Sequence, residues 1–104
     1  MYGLRLTEHA ESDLRGLDAR WRAAIIAALR QYLSHEPAKT SKSRIKRLRN
    51  LRLPQFRLRV DEMRVYYDVG EGFVMIYGIV HKDHTEDWLL QHSKPDDQST
   101  TEPS

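Results

Sequence analysis

The sequence contains no cysteine, and this absence excludes several kinds of protein at once. Without thiols the chain has no disulfide framework, no thiolate zinc site and no cysteine nucleophile, which suits a reducing compartment. Long apolar segments are missing as well. The longest apolar run, Ala23–Leu29, has seven residues, against the about 20 that a membrane helix needs. Because the N-terminus also lacks the apolar core of a signal peptide, we expect a cytoplasmic protein that does not bind a membrane.

The chain is short, and its composition is that of one soluble domain. It has 104 residues, of which 39% are hydrophobic and 31% are charged. No aliphatic or aromatic residue follows Leu90. We therefore predict a single domain over residues 1–91 and a disordered tail over residues 92–104.

The net charge of +2 hides a strongly basic segment. From Lys39 to Arg64 the chain has ten lysine or arginine residues and two acidic ones, whereas the remainder has seven basic and thirteen acidic residues. A basic segment of this kind is typical either of a solvated surface or of a surface that faces a polyanion. Because the basic residues continue into segments that alternate like strands, the polyanion interpretation is favoured.

The first part of the chain has the pattern of a strand followed by two helices. Apolar residues alternate over Tyr2–Leu6, which predicts a strand. Thr7 and Asp18 are typical helix caps, and apolar residues recur at intervals of three and four over residues 21–33, as in an amphipathic helix. Residues 38–54 lack a clear period and are compatible with either a short helix or an irregular loop.

From Phe56 onward the period changes to two, which predicts three strands. Gly70-Glu71-Gly72 is a turn, and the strand after it, Phe73–Val80, is apolar on both faces. Thr85 can cap a last short helix. The predicted order is β-α-α-β-β-β-α, an α+β fold with a small antiparallel-rich sheet and the N-terminal helical hairpin on one face.

Three arginines in the first two of these strands are predicted to share one face of the sheet. Alternation places Arg57 and Arg59 on the face opposite an apolar set. If the strands on either side of Asp61-Glu62 form a hairpin with an even-length loop, Arg59 lies opposite Arg64, and Arg57 lies opposite Tyr66. We call the surface formed by Arg57, Arg59 and Arg64 the arginine face.

The arginine face brings like charges together, which is destabilising unless an anion binds there. Guanidinium groups form paired hydrogen bonds with phosphate oxygens and stay charged at any working pH. We therefore predict that a sulfate or phosphate occupies this face in a crystal. The alternative is that nearby acids pair with the arginines. The candidates are Asp61, Glu62, Asp68 and Asp83.

The run FRLRVDEMRVYYDVGEGFVMIYGIVHKDH, residues 56–84, resembles the core signature of the RelE/ParE superfamily of bacterial type II toxins. In that family a basic strand pair precedes a buried strand and a short loop with histidine or arginine. The helical hairpin and the basic IKRL stretch match too, so the resemblance covers residues 2–91. It implies a cytoplasmic toxin that a cognate antitoxin neutralises. In the RelE branch it implies a ribosome-dependent endoribonuclease that cleaves messenger RNA.

The resemblance also implies which residues act. In such a site, cations stabilise the phosphate and a histidine carries the proton. The implied catalytic set is Arg57, Arg59, Arg64, Lys82, His81 and His84. His84 is preferred as acid or base because its loop should turn it toward the arginine face, with a helix-entry or hydrogen-bonding role as the alternative. The implied RNA-binding set is Lys46, Arg47, Arg49, Arg52, Tyr66 and Trp88.

Two departures from the family pattern leave other functions open. Trp88, which either stacks on a nucleobase or packs in the core, stands where the family usually has tyrosine, and Lys82 stands where arginine is more familiar. The chain could therefore be a ParE-like inhibitor of DNA gyrase without nuclease activity, or an inactive toxin-fold module that only binds an antitoxin. The expected partners are an antitoxin, the ribosome and messenger RNA, with no small-molecule substrate and no cofactor.

A metal site is a further alternative in the loop after the buried strand. His81, Asp83, His84 and Asp87 include imidazole and carboxylate ligands at short spacing. They lack a fuller ligand signature, so we expect no metal there.

Overall fold

The computed structural model describes residues 1–96, and it shows the predicted α+β class with a mostly antiparallel sheet. This part of the chain has three α-helices: α1 (Glu8–Arg15), α2 (Ala19–Ala28) and α3 (Thr85–His92). α2 continues as a π-helical turn over Leu29–Leu33. None of these helices is long and apolar enough to span a bilayer.

Side-chain caps determine where the first two helices begin. Thr7 Oγ1 accepts a hydrogen bond from the Ala10 backbone N–H at 3.1 Å, and Asp18 Oδ1 accepts one from the Trp21 backbone N–H at 2.9 Å. Both predicted caps are confirmed. Thr85 was expected to cap the last helix, but it is the first residue of α3, and its hydroxyl instead donates to the Lys82 carbonyl oxygen.

Five strands form the main sheet in the order β1-β6-β5-β4-β2. Their bounds are β1 (Gly3–Leu6), β2 (Ile45–Arg47), β4 (Phe56–Val60), β5 (Met63–Val69) and β6 (Phe73–His81). β1 pairs with β6 in parallel, and the other neighbouring pairs are antiparallel. The three strands predicted after residue 55 are therefore adjacent, with β5 at the centre of the sheet.

Residues 38–54 contain two short strands, where the sequence pattern left a helix or a loop. β2 pairs with β4 and covers its open edge, and β3 (Leu51–Leu53) pairs with β7 (Lys94–Pro95) in a separate two-stranded sheet. Strands this short have no measurable period of their own; pairing with a neighbour satisfies their backbone groups. Of the predicted tail, His92 belongs to α3 and residues 94–95 form β7, while residues 97–104 lie outside the described residues.

The main core lies between one face of the sheet and the N-terminal helices. Its fully buried members are Ala10, Ile25, Leu33, Leu58, Val65, Tyr67, Val74 and Ile76. α3 packs on the opposite face, where Trp88 contacts Tyr66 and Gly78. The helical hairpin therefore occupies one face, as predicted, and α3 covers part of the face that carries the arginines.

Candidate nucleic-acid interface

The register of the β4–β5 hairpin brings the three arginines together. Arg59 is the direct partner of Arg64, and Arg57 is the direct partner of Tyr66. Directly opposed residues of an antiparallel pair point to the same side of the sheet. The predicted arginine face is therefore confirmed as a geometric feature. The residues between them face the core and are buried: Phe56, Leu58, Val60, Met63, Val65 and Tyr67.

The hairpin turn holds Arg64 in place. Asp61 has a φ of 52°, a left-handed conformation in which aspartate is one of the better tolerated residues after glycine. Arg64 Nη1 donates to the carbonyl oxygens of Asp61 at 2.9 Å and Met63 at 3.0 Å. Because a guanidinium has five N–H groups, these two contacts orient Arg64 and leave donors for an anion.

Arg57 is partly buried, between Lys46 on β2 and Tyr66 on β5. Burial lowers the pKa of the Arg57 guanidinium; Arg64 lowers it further, Tyr66 raises it, and Arg59 adds to the lowering. Arg57 Nε is buried and has no hydrogen-bond partner within residues 1–96. A buried unpaired donor is costly, and a phosphate oxygen is the kind of acceptor that would satisfy it.

No carboxylate among residues 1–96 lies within 4.0 Å of the guanidinium groups of the arginine face. Glu62 and Asp83 pair with His81 instead, at 3.2 Å and 3.5 Å. Asp68 accepts hydrogen bonds from the Gln55 backbone N–H and the Tyr77 hydroxyl. The described acids therefore do not neutralise the arginine face, contrary to the alternative of internal pairing.

Tyr66 and Trp88 stack on each other and are closed to solvent. Their ring centroids are 4.7 Å apart with an interplanar angle of 10°, and the residues are 2% and 5% exposed. Gly78 makes room for this stack, because a Cβ at that position would overlap the Trp88 indole. In this conformation neither ring offers a face to a nucleobase. Trp88 therefore packs against Tyr66 in this structure, and the RNA-binding role of the two rings stays a prediction.

The Tyr66 hydroxyl is electrostatically part of the arginine face. Burial raises the pKa of Tyr66, while Arg57, a side-chain hydrogen bond with Thr85, and Arg64 counteract the rise. Tyr66 therefore remains a neutral phenol beside Arg57. It therefore adds no charge to the arginine face.

His81 lies on the core side of the sheet. It is the direct partner of Met63, whose side chain is buried in the core. A bulge between Tyr66 and Tyr67 shifts the β5–β6 register by one residue and so turns His81 away from the arginine face. His81 Nδ1 accepts from the Asp83 backbone N–H at 3.1 Å, and Nε2 contacts Glu62 Oε1 at 3.2 Å. These contacts give His81 a hydrogen-bonding role in the loop, and a catalytic role for it stays a prediction.

His84 and Lys82 are exposed in the short 3-10 helix that joins β6 to α3. The His84 ring centroid lies 6.3 Å from that of His81, and no hydrogen bond within residues 1–96 holds the His84 side chain. His84 directly precedes Thr85, which contacts Tyr66 on the arginine face. Of the two histidines, His84 is therefore the one placed next to that face and available to a ligand.

The basic residues before β4 are divided between the two sides of the sheet. Lys46 is the direct partner of Arg57 and extends the arginine face to the edge strand. Arg47 is the partner of Phe56, and its guanidinium lies 5.1 Å from the centre of that ring, on the core side. Alternation along β2 thus turns the Arg47 side chain away from the arginine face, which Lys46 extends. Arg49 and Arg52 are exposed, outside the main sheet.

Arg44 was missed as a neighbour of the arginine face. The Arg59 backbone N–H donates to the Arg44 carbonyl oxygen at 2.8 Å, and Arg44 Nη1 donates to the Arg59 carbonyl oxygen at 3.3 Å. The two-residue spacing of Arg44 and Lys46 repeats that of Arg57 and Arg59, a signal that could have identified the edge strand. No three potential metal ligands within residues 1–96 are placed so that they could share an ion.

Solved structures of toxin–antitoxin complexes contain chains with this fold. A chain of the RelBE2 toxin–antitoxin complex from Mycobacterium tuberculosis is 29% identical, with a TM-score of 0.66, and the match covers 77% of this chain and 96% of that one. A chain of the RelB–RelE complex from Methanococcus jannaschii is 16% identical, with a TM-score of 0.60 over 81% of this chain and 96% of that one. At this lower identity the likeness shows the fold alone.

The archaeal RelE–RelB complex from Pyrococcus horikoshii also contains a similar chain, 16% identical with a TM-score of 0.55, over 78% of this chain and 94% of that one. No family model matches the sequence, and no curated protein does. The hairpin signature, the strand order and the nearly complete coverage of the RelBE2 chain agree with one another. The chain is a member of the RelE-like toxin superfamily.

Proposed function

We propose that this chain is the toxin of a type II toxin–antitoxin pair, and that it cleaves messenger RNA on the ribosome. The observation that carries the proposal is the arginine face, in which Arg57, Arg59 and Arg64 share one side of a hairpin without a carboxylate partner within residues 1–96. Like charges held together in this way favour a polyanionic ligand. The similar chains come from toxin–antitoxin complexes, which supports a protein antitoxin as the controlling partner.

Cleavage of this kind uses a nucleophile that the RNA itself supplies. The 2′-hydroxyl loses its proton and its oxygen attacks the adjacent phosphorus, forming a 2′,3′-cyclic phosphate. The bond to the 5′-oxygen breaks, and that oxygen takes a proton as it leaves. Arg57, Arg59 and Arg64 stabilise the extra negative charge on the phosphate oxygens, and such preorganised cations are usually the largest contribution to the rate.

The proton transfer falls to His84 in this proposal. Arginine cannot act as the base, because its guanidinium does not lose its proton in proteins. His81 is engaged by Glu62 and Asp83 on the core side of the sheet, whereas His84 is exposed beside the arginine face. Lys82, in the same loop, adds a further cation for the substrate.

In this proposal the ribosome supplies an alignment of the RNA that the few side chains of the arginine face do not provide by themselves. An RNA strand bound by a few side chains on an open sheet keeps most of its freedom, whereas catalysis requires the reacting oxygen and phosphorus to be aligned. The ribosome would hold the messenger in place. Lys46, Arg49 and Arg52 would contact phosphates around the cleavage point.

One observation favours a second candidate, a toxin that binds its target without cutting. Tyr66 and Trp88 are closed to solvent, so within residues 1–96 the arginine face has no exposed hydroxyl acid, and only His84 is available for proton transfer. A ParE-like gyrase inhibitor or an inactive antitoxin-binding module would need the cationic surface but no proton carrier.

Induced expression separates these candidates. Under the nuclease proposal, growth stops and new messenger 5′ ends appear on translating ribosomes. Arg64→Ala and His84→Ala should abolish both effects, whereas Arg30→Ala, an exposed arginine on the π-helical turn of α2, should retain them. Growth arrest with intact messengers and gyrase-linked DNA breaks would establish the second candidate instead.

A further inference from the structure

A single residue, Glu62, ties the β4–β5 turn to the loop after β6 by two contacts. The Lys82 backbone N–H donates to the Glu62 carbonyl oxygen at 2.8 Å, and Glu62 Oε1 lies 3.2 Å from His81 Nε2. His81 is the last residue of β6, and Lys82 is the first residue of the short 3-10 helix. Glu62 therefore fastens the turn to the point at which the strand ends and the loop begins.

The turn and the loop each position a group that the proposed reaction uses. Arg64 donates to the carbonyl oxygen of Asp61 in the turn at 2.9 Å. His84 is the last residue of the 3-10 helix. Glu62 follows Asp61 directly, so its contacts join the part of the chain that holds Arg64 to the part that carries His84.

The hydrogen bonds of His81 show where the proton of its ring lies. Nδ1 accepts from the Asp83 backbone N–H at 3.1 Å, and a backbone N–H always carries its hydrogen. Nδ1 therefore has no proton in this conformation, although Asp83 Oδ2 lies 3.5 Å from it. The ring proton is then on Nε2, where it donates to Glu62 Oε1.

We propose that Glu62 and His81 are positioning residues that together fix His84 relative to Arg64, with the His81 proton held on Nε2. The inference rests on the proposed function, which assigns proton transfer to His84 and charge stabilisation to Arg64. Both nitrogens of His81 are engaged, so the ring has no free site for exchanging a proton with RNA. The pair contributes alignment, and a displacement of about 1 Å at a reacting group can cost about a hundredfold in rate.

Variants of Glu62 separate its hydrogen bond from its charge. Glu62→Ala removes the side-chain contact but keeps the backbone bond to Lys82, so the chain should still fold. Its kcat on ribosome-bound messenger should fall by at least about tenfold with little change in KM, because the arginine face still binds the RNA. Glu62→Gln keeps an oxygen that accepts from His81 and should restore most of the rate. Glu71→Ala, which removes an exposed acid from the β5–β6 turn, is the matched control and should cleave like the unaltered chain.

Variants of His81 separate positioning from proton transfer. His81→Ala should lose as much rate as Glu62→Ala. In His81→Gln the amide N–H₂ takes the place of the Nε2–H beside Glu62, so this variant should recover most of the rate with the pH dependence of the unaltered chain. In the unaltered chain, NMR of the labelled imidazole nitrogens at slightly alkaline pH should show Nδ1 unprotonated and Nε2 protonated.

Three results would overturn the assignment. Full activity of Glu62→Ala would mean that the loop keeps its place without this contact. His81→Gln as inactive as His81→Ala would make His81 a proton carrier, and a proton on Nδ1 would contradict the hydrogen bonds that define the pair. An unaltered chain that cleaves no messenger would refute the proposed function itself, and the positioning role would fall with it.

Discussion

Arg59 lies directly opposite Arg64 across the β4–β5 hairpin, and neither guanidinium has a carboxylate partner within residues 1–96. Two like charges at directly opposed strand positions repel each other. The fold tolerates this repulsion because the other face of the same strands is buried and fixes their register. An anion-binding site requires such a cluster of cations without carboxylate partners, although their repulsion lowers the stability of the fold.

Removing one of these charges should stabilise the protein. Arg59→Gln is expected to raise the free energy of unfolding by about 0.2–1 kcal/mol, because it relieves the cross-strand repulsion. The gain should shrink in high salt, which screens exposed charges. Urea denaturation at low and high salt measures it, with the exposed Arg30→Gln as control. A loss of stability in Arg59→Gln would mean that the arginines are neutralised internally.

An oxyanion should bind to the arginine face and stabilise the fold. We expect phosphate to raise the melting temperature more than chloride at equal ionic strength, since a gain of about 1 kcal/mol corresponds to about 4–8 °C for a domain of this size. Arg57→Gln should lose most of the difference, because it removes the guanidinium with the unpaired Nε. Arg30→Gln should keep it. Equal shifts in all three proteins would indicate a general salt effect.

Trp88 depends on the absence of a side chain at Gly78. Gly78→Ala should displace the indole from Tyr66 and lower the free energy of unfolding by about 1–3 kcal/mol, as overpacking does. With Trp21 replaced by phenylalanine, Trp88 is the chain's remaining tryptophan, and its fluorescence should shift to longer wavelength. Gly3→Ala is the control, because a Cβ there meets only the Gly72 carbonyl oxygen at 3.8 Å. An unshifted spectrum would contradict the packing of Trp88.

The buried tyrosines should ionise late. Burial, then the charge of Asp68 and a hydrogen bond with it, raises the pKa of Tyr77 to about 12, and burial raises the pKa of Tyr67 and Tyr66 as well. These pKa values of the folded protein exceed the ordinary value of 10.0. The neutral tyrosines therefore contribute their full share to the free energy of unfolding below pH 10, and this share is lost as the pH rises above 10. Asp68→Asn should lower the pKa of Tyr77 in a phenolate absorbance titration. Ionisation of all tyrosines together near pH 10 in the folded protein would contradict this.

The arginine face was predictable because an apolar set on the opposite side of the strands allows only one register. The β5–β6 bulge had no such signal. The bulge places Gly78 beside Tyr66, which makes room for Trp88, and it turns His81 to the core side of the sheet. Neither effect could be predicted, because the alternation of apolar and polar residues does not show a register shift. The division of Lys46 and Arg47 between two faces likewise depends on β2, which is too short to show a period.

Messenger cleavage is best measured with the purified chain in a reconstituted translation system. We expect messengers bound to ribosomes to acquire new 5′ ends, and we expect Arg64→Ala to slow cleavage by about a hundredfold or more, the usual effect of removing one group that stabilises the transition state. Arg30→Ala should cleave like the unaltered chain. Messengers that stay intact with the folded, unaltered chain at saturating concentration would refute the proposed nuclease activity.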